Sequence, residues 1–310
     1  MSKSEHSLAG NLALVERRTF GKTGIEVSVL GFGGAEIGFE DAPQSEVDRL
    51  LHAAIDEGLN VIDTAECYAD SEEKIGRAIS KRRDEFHLFT KCGHSSGFPQ
   101  PDWDPEMLAQ SIDRSLKLLQ TDRVDLIQLH SCSEEILRAG AVIEVLQRAK
   151  EAGKTRFIGY SGDRNDSVYA VSTGLFDTLQ TTCNIADQQS ITTALPLAKE
   201  RGLGVIAKRP IANAAWNEPK IGAYGRPYWE RFQELRYDFL GLSSDEIASI
   251  ALRFTLAQPG VATAIVGTKN PERWKQNATY LAEGPLDLSI EAAIRARWNE
   301  VAAADWIGQT

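Results

Sequence analysis

Eight short strand-like runs, separated by helix-like segments, constrain this chain more than any other feature. The runs are Val29–Gly33, Asn60–Asp63, Phe86–Lys91, Val124–His130, Arg156–Ser161, Thr178–Thr182, Val205–Lys208 and Ala262–Val266. Between them, Ile112, Leu116 and Leu119 recur at helical spacing, as do Ile143, Leu146 and Ala149. Strands that alternate with helices predict a parallel sheet with helices packed on it. Eight such units predict a closed (β/α)8, or TIM, barrel, with an open doubly wound sheet as the main alternative. A length of 310 residues suits one barrel. No repeat, low-complexity stretch or linker divides it, so 1–310 reads as a single domain.

Four segments lie outside the regular beat. Residues 1–16 read as a loose arm. Arg18–Ser28 reads as a β-hairpin turning at Gly21-Lys-Thr-Gly24. Arg209–Leu242 reads as a long loop between the seventh barrel strand and the seventh helix, rich in aromatics (Trp216, Tyr224, Tyr228, Trp229, Phe232). Long ordered loops of this kind are usually functional. A tail helix carrying Trp298 is expected over 289–310.

Chemistry concentrates where these strands end. Val61-Ile-Asp63 closes one strand, and Asp70 with Glu73 marks the start of the next helix. Asp63 and Tyr68 therefore fall on a strand-to-helix loop, where α/β enzymes keep their reactive groups. A phenol has a pKa of about 10, so acid catalysis by Tyr68 calls for a nearby cation. Lys91 and His130 end two further strands, and in a parallel barrel those ends converge on one face. Taken singly, each has a plainer reading: Asp63 as a helix cap, Lys91 as a solvated strand end, His130 as a hydrogen-bonded core residue.

The glycine run Gly31-Phe-Gly33-Gly34-Ala-Glu36 is not a dinucleotide fingerprint, because Glu36 stands where the third glycine belongs. It reads as a tight turn, with backbone at Gly33 free to approach a cofactor.

Composition removes other function classes. A net charge of −10 disfavours nucleic acid and anionic membranes as partners. No apolar run is long enough to span a bilayer. The stretch Met1–His6 lacks the apolar core of a signal peptide, which leads to the expectation of a cytoplasmic setting. Cys67, Cys92, Cys132 and Cys183 form no CxxC pair. Together with His94 they come from different loops without ligand-type spacing, so no metal is expected. They are read instead as partly buried thiols lining an active-site mouth.

Several ordered motifs resemble the aldo-keto reductases. They are Asp63-Thr-Ala-x-x-Tyr68-x-x-Ser71-Glu72-x-x-Ile75-Gly76, then Lys91, then Ser115-Leu-x-x-Leu119-x-x-Asp122-x-x-Asp125-Leu-x-x-Leu129-His130. Gly159-Tyr-Ser161, Gln180 and Gly267-Thr-x-x-x-x-Arg273-x-x-x-Asn277 follow, so the match spans roughly residues 19 to 281. The resemblance implies a barrel plugged at its base by the hairpin, a nicotinamide cofactor and carbonyl reduction or its reverse. It implies a catalytic tetrad of Asp63, Tyr68, Lys91 and His130. Asp63 would hold Lys91 charged, Lys91 would lower the Tyr68 pKa, Tyr68 would protonate the carbonyl oxygen and His130 would orient it.

The resemblance further implies that Ser161 and Gln180 bind the nicotinamide carboxamide, although Gly162 replaces a frequent asparagine. Thr268, Arg273 and Asn277 match the adenosine end, with Arg273 suited to a 2′-phosphate; the plainer reading of Arg273 is a surface arginine. Gly267 replaces a lysine found in some members and Gln276 a common glutamate. NADP is therefore the expected cofactor, with NAD possible. Lys208 stands where many members stack an aromatic ring on nicotinamide. Its stem could cover that ring with the ammonium in solvent or on a phosphate, and Arg209 could contact the pyrophosphate; otherwise both point out of the loop. Trp103 and Trp216 are candidates for the wall of a small-molecule carbonyl or alcohol site. The alternatives to a reductase are a cofactor-binding regulatory subunit with little turnover, and an unrelated barrel lyase or isomerase.

Overall fold

In the computed structural model, which describes residues 15–218 and 224–309, the alternating runs form a closed barrel. A hairpin of β1 (Arg17–Thr19) and β2 (Glu26–Ser28) precedes it. The barrel strands are β3 (Leu30–Gly33), β4 (Val61–Asp63), β5 (His87–Cys92) and β6 (Val124–His130). They continue with β7 (Thr155–Ser161), β8 (Thr178–Thr182), β9 (Gly204–Lys208) and β10 (Val261–Gly267). Neighbours pair in parallel and in chain order, and β10 closes onto β3 with Gly267 opposite Gly33. The (β/α)8 expectation is thus met, and the open sheet is excluded.

Strands buried on both faces read as near-continuous apolar runs because helices cover one side and the barrel interior fills the other. The interior is layered. At the N-terminal end, Phe20 from the hairpin turn stacks on Phe89 with centroids 5.6 Å apart. Ile25, Val27, Val61, Leu126, Ile206 and Ala262 complete this apolar plug. Gly204 is required beneath it: a Cβ there would lie 2.6 Å from the Phe20 ring. The hairpin therefore closes the base, as the family resemblance implied. The next layer up is polar, and it supplies the candidate site.

Helices flank the barrel. After β4, helix Ser71–Ile79 starts at Asp70 as expected, but Asp70 does not cap it; its carboxylate pairs with Lys74 at 2.9 Å. The stretch expected as a long loop after β9 is largely helical where it is described. It contains helix Arg226–Leu235 and short 3₁₀ turns at Ala212–Ala214 and Asp238–Gly241. Its aromatics build a second core rather than an open wall: Tyr228, Phe232 and Tyr237 pack with Phe254 and with Trp298 of helix Leu288–Val301. The apolar content of the segment is spent on burying that helix against the tail. The expected N-terminal arm lies, except for its last two residues, outside the described residues.

Candidate active site

The C-terminal ends of the strands bring Asp63, Tyr68, Lys91 and His130 together. Asp63 and Lys91 are each about 1% exposed. Lys91 Nζ donates to Asp63 Oδ2 at 2.5 Å and to the carbonyl of Thr64 at 2.8 Å. The other oxygen of Asp63 accepts from Gln128 Nε2 at 3.3 Å and from Gln180 Nε2 at 3.1 Å. Gln180 in turn accepts from the Ser161 hydroxyl at 2.8 Å. One polar layer thus spans the barrel from β4 to β8. Gln128 was not anticipated; it lies within the expected β6 run, where its amide gave no separate signal.

Above this layer, Lys91 Nζ lies 4.9 Å from the centre of the Tyr68 ring. The Tyr68 and His130 rings meet edge-on with centroids 5.6 Å apart. Burial would pull the Lys91 pKa down, but the Asp63 carboxylate and Tyr68 more than offset this, and the ammonium ends above its ordinary value. Lys91 pulls the Tyr68 pKa down, but burial outweighs it. Burial raises the phenol to about 12, and the opposing pull of Lys91 only limits the rise. Desolvation wins although Tyr68 is only half-buried at the rim. His130 is held well below the usual imidazole range, first by burial and then by the nearby positive charge of Lys91, Lys208 and Arg209. It is a neutral imidazole at neutral pH.

Lys208 and Arg209 do not point out of the loop. Lys208 Nζ pairs with Asp163 Oδ2 at 3.0 Å, and Arg209 Nη1 lies 3.5 Å from the same oxygen. Asp163 also accepts from the Thr181 hydroxyl, the Thr182 amide and the Thr182 hydroxyl. A buried carboxylate therefore holds the Lys208 ammonium, which does not stand free in solvent. Burial brings the Lys208 pKa down to about 8, with Asp163 acting against the fall. Burial pushes Asp163 up, but Lys208 and Arg209 bring it below its ordinary value. The chain's last residues cover this network. Arg209 donates to the Gln309 carbonyl at 2.7 Å, Arg164 to Gly308 at 2.9 Å and Arg231 to Ile307 at 2.9 Å.

The residues expected at the adenosine end gather around β10 and helix Pro271–Ala282. Gly33 and Gly267 are register partners. Thr268 Oγ1 accepts from the Asn270 amide at 3.0 Å. Arg273 is half exposed, donates to Gln276 Oε1 at 2.7 Å and lies 3.7 Å from Asp245. Asn277 is 1% exposed, and its Nδ2 finds no hydrogen-bond partner among the described residues. Glu36 was missed. Its carboxylate fills the space above Gly267, where a Cβ would lie 1.6 Å from Oε2, and burial raises its pKa. Loss of a side chain at Gly267 is what makes that room.

An aromatic line runs across the mouth: Phe39 beside Tyr68, Tyr68 beside His130, His130 beside His94, and His94 beside Trp103. Phe39 is 65% exposed and was not anticipated. Trp103 is held in place by Gly93 (φ 148°), whose missing Cβ leaves room for the indole. Trp216 takes no part in this line; it packs edge-on against Phe232 and donates to Ser244 at 2.9 Å. The cysteine reading is also revised. All four are free thiols, but Cys92, Cys132 and Cys183 are buried and only Cys67 reaches the mouth. Its Sγ lies 3.3 Å from His130 Nδ1. Different loops do not keep these groups apart, because the barrel rim gathers them.

A closed parallel barrel with a titratable cluster at the C-terminal rim places the chain among the (β/α)8 barrel enzymes. A sequence model described as the aldo/keto reductase family matches residues 29–298, and the chain belongs to that family of oxidoreductases. It is 29% identical over 286 residues to L-galactose dehydrogenase of Arabidopsis thaliana, covering 87% of this chain and 89% of that protein. It is 27% identical over 322 residues to D-threo-aldose 1-dehydrogenase of a Pseudomonas species, covering 91% and 95%. The holo form of aldo-keto reductase AKR11C1 from Bacillus halodurans has a TM-score of 0.81 to it at 24% identity, covering 94% of this chain and 99% of that one. That last likeness speaks to the fold alone. Among the described residues no helix is long and apolar enough to cross a membrane.

The electrostatics of His130 are directly testable. Its imidazole is expected to stay neutral between about pH 5.5 and 7.5, a window across which an ordinary histidine titrates. Nitrogen-detected NMR of ¹⁵N-histidine-labelled protein would show no protonation step for His130 in that window. Titration of His130 near the ordinary imidazole value would contradict the picture of a half-buried ring beside Lys91, Lys208 and Arg209.

Proposed function

We propose that this chain transfers hydride between a nicotinamide dinucleotide and the carbonyl carbon of an aldehyde or ketone, with Tyr68 as general acid. The observation that carries the reading is the Lys91 ammonium, held by buried Asp63 and lying against the Tyr68 ring. A bound nicotinamide dinucleotide supplies or accepts the hydride. The remaining work falls to the chain. Tyr68 gives its proton to the carbonyl oxygen, Lys91 stabilises the phenolate left behind, and neutral His130 donates a hydrogen bond to the same oxygen. A phenol at about 12 is fully protonated at neutral pH and is ready for reduction. In the reverse direction Tyr68 must first lose its proton, so alcohol oxidation favours alkaline pH.

The chain's residues fit such a cofactor. Ser161 and Gln180 adjoin the Asp63–Lys91 pair and supply amide and hydroxyl groups for a carboxamide. Side-chain-free Gly33 allows close backbone approach, and Asn277 has an unused buried donor for the adenosine end. Arg209 remains a candidate for the pyrophosphate. Lys208, through its pair with Asp163, would serve as a brace beneath the site more than as a ring cover. The assembled cluster favours an active enzyme over a regulatory subunit. For the substrate, the relatives' names point to sugars. Exposed Phe39 beside Tyr68 offers a flat apolar face to one side of a pyranose, with His94 and Trp103 across the mouth.

Tyr68→Phe keeps the ring and removes the acid. Reduction of a panel of aldoses and simple aldehydes should fall at least about a hundredfold, with little change in cofactor affinity. Wild-type oxidation should climb with pH through the neutral range, and the variant should lose that slope. Near-normal reduction by the variant, followed by absorbance of the reduced cofactor, would remove Tyr68 from the mechanism.

Cofactor choice has two readings. Arg273 favours NADP, since a guanidinium near the start of a helix suits a 2′-phosphate. Glu36 favours NAD, since a carboxylate over Gly267 stands near that end and repels an added phosphate. Arg273→Ala should weaken NADPH by about 1.5–3 kcal/mol and spare NADH if the first reading holds. Under the second, Arg273→Ala changes little, and Glu36→Gln improves NADPH binding relative to NADH. Fluorescence titration with both cofactors separates them.

A further inference from the structure

We propose that Cys67, His94 and His130 form a binding site for a thiophilic divalent cation, zinc by ligand chemistry, whose occupation blocks turnover by sequestering His130. One ligand atom from each residue lies within 4.8 Å of the other two. Cys67 Sγ and His130 Nδ1 are already 3.3 Å apart, close to the spacing of about 3.5 Å between sulfur and nitrogen ligands of one tetrahedral zinc. The imidazoles of His94 and His130 meet edge-on with centroids 5.3 Å apart. Modest side-chain rotation at the rim completes the contraction. One thiol with two imidazoles selects zinc over magnesium or calcium, which take oxygen ligands.

The surroundings of His94 carry the argument beyond proximity. Its Nδ1 lies 2.9 Å from Asp102 Oδ2, and the other Asp102 oxygen accepts the Ser95 amide at 2.7 Å. The His94 amide donates to Glu66 Oε1 at 2.9 Å. A carboxylate on one ring nitrogen fixes the tautomer and leaves the Nε2 lone pair for a metal, the arrangement that orients ligand histidines in zinc sites. All three ligands are partly exposed, so the mouth is open to an entering ion. On binding, the Cys67 S–H bond breaks, the proton leaves to solvent and a sulfur–metal bond forms; no oxidation or reduction is involved. The fourth position is left for water or a substrate oxygen.

Binding itself is independent of the reaction proposed above; only its inhibitory consequence rests on that reading. Cobalt(II) titrated into the full chain should give one equivalent of tetrahedral visible bands and a sulfur-to-cobalt charge-transfer band in the near ultraviolet. Cys67→Ser should abolish the charge-transfer band. His94→Ala should weaken zinc affinity at least tenfold, and Asp102→Asn about 10–100-fold, measured by competition with a chromophoric chelator. In the carbonyl assay, the ratio of rates without and with zinc should fall at least tenfold in Cys67→Ser. A charge-transfer band that survives in Cys67→Ser, or that never forms at saturating cobalt, overturns the site. Bands with no zinc effect on a working reductase overturn the inhibitory role. Bands in a chain that reduces no carbonyl leave the site standing and count against the proposed function.

Discussion

The Asp63–Lys91 ion pair is the constraint around which the upper half of the barrel is arranged. Bringing two charges out of water costs several kcal/mol per ion even after relaxation. The pair is tolerated because every nearby donor and acceptor is turned toward it. Thr64 accepts from the ammonium, and the amides of Gln128 and Gln180 donate to the carboxylate. These groups come from the β4 loop, β6 and β8, so the pair is satisfied only when the barrel is closed. The same closure places Tyr68 over the cation and His130 beside the phenol. The apolar plug built on Phe20 and Phe89 underlies this polar layer and closes the base of the barrel beneath it.

A second buried carboxylate repeats the device on the opposite side of the rim. Asp163 gathers Lys208 and Arg209, while Arg209, Arg164 and Arg231 hold the carbonyls of the last residues. Gly308 has no side chain where it crosses Asp163; a Cβ would lie 2.4 Å from the Asp163 Cβ. The chain's end therefore seals the Asp163 network, and helix Leu288–Val301 with Trp298 carries it there. The rim has one charged cluster by Tyr68 and another by the tail, joined through Gln180 and Thr182 on β8.

What was legible in the sequence follows from what is local. Most of the buried parallel strands announce themselves as runs rich in apolar residues, and barrel closure follows from their number and order. Asp63, Lys91 and His130 stood at strand ends, so their convergence was a consequence of topology. What was not legible depends on distance. Nothing near Lys208 points to Asp163, forty-five residues upstream by subtraction of their numbers, so its ammonium was left to solvent or a phosphate. The rise of the Tyr68 pKa reflects a contest between burial and a cation that only coordinates can weigh. Cys67 and His94 lie on separate loops, and spacing rules for metal ligands do not see across a barrel mouth. The aromatic-rich segment after β9 was read as loop because its helix, Arg226–Leu235, is short and its partners, Phe254 and Trp298, are remote in the chain.

The central claim is that Lys91, charged because of Asp63, makes Tyr68 an acid. Removing one partner alone would strand a buried charge at a cost of about 3–5 kcal/mol and confuse unfolding with mechanism. The double variant Asp63→Asn with Lys91→Met removes both charges and keeps the volumes. The most direct measurement is its single-turnover rate of hydride transfer, with cofactor prebound and folding checked by cooperative urea unfolding. The account predicts a folded, cofactor-binding protein whose hydride transfer is slower by at least about a hundredfold. Hydride transfer near the wild-type rate in that variant would contradict it.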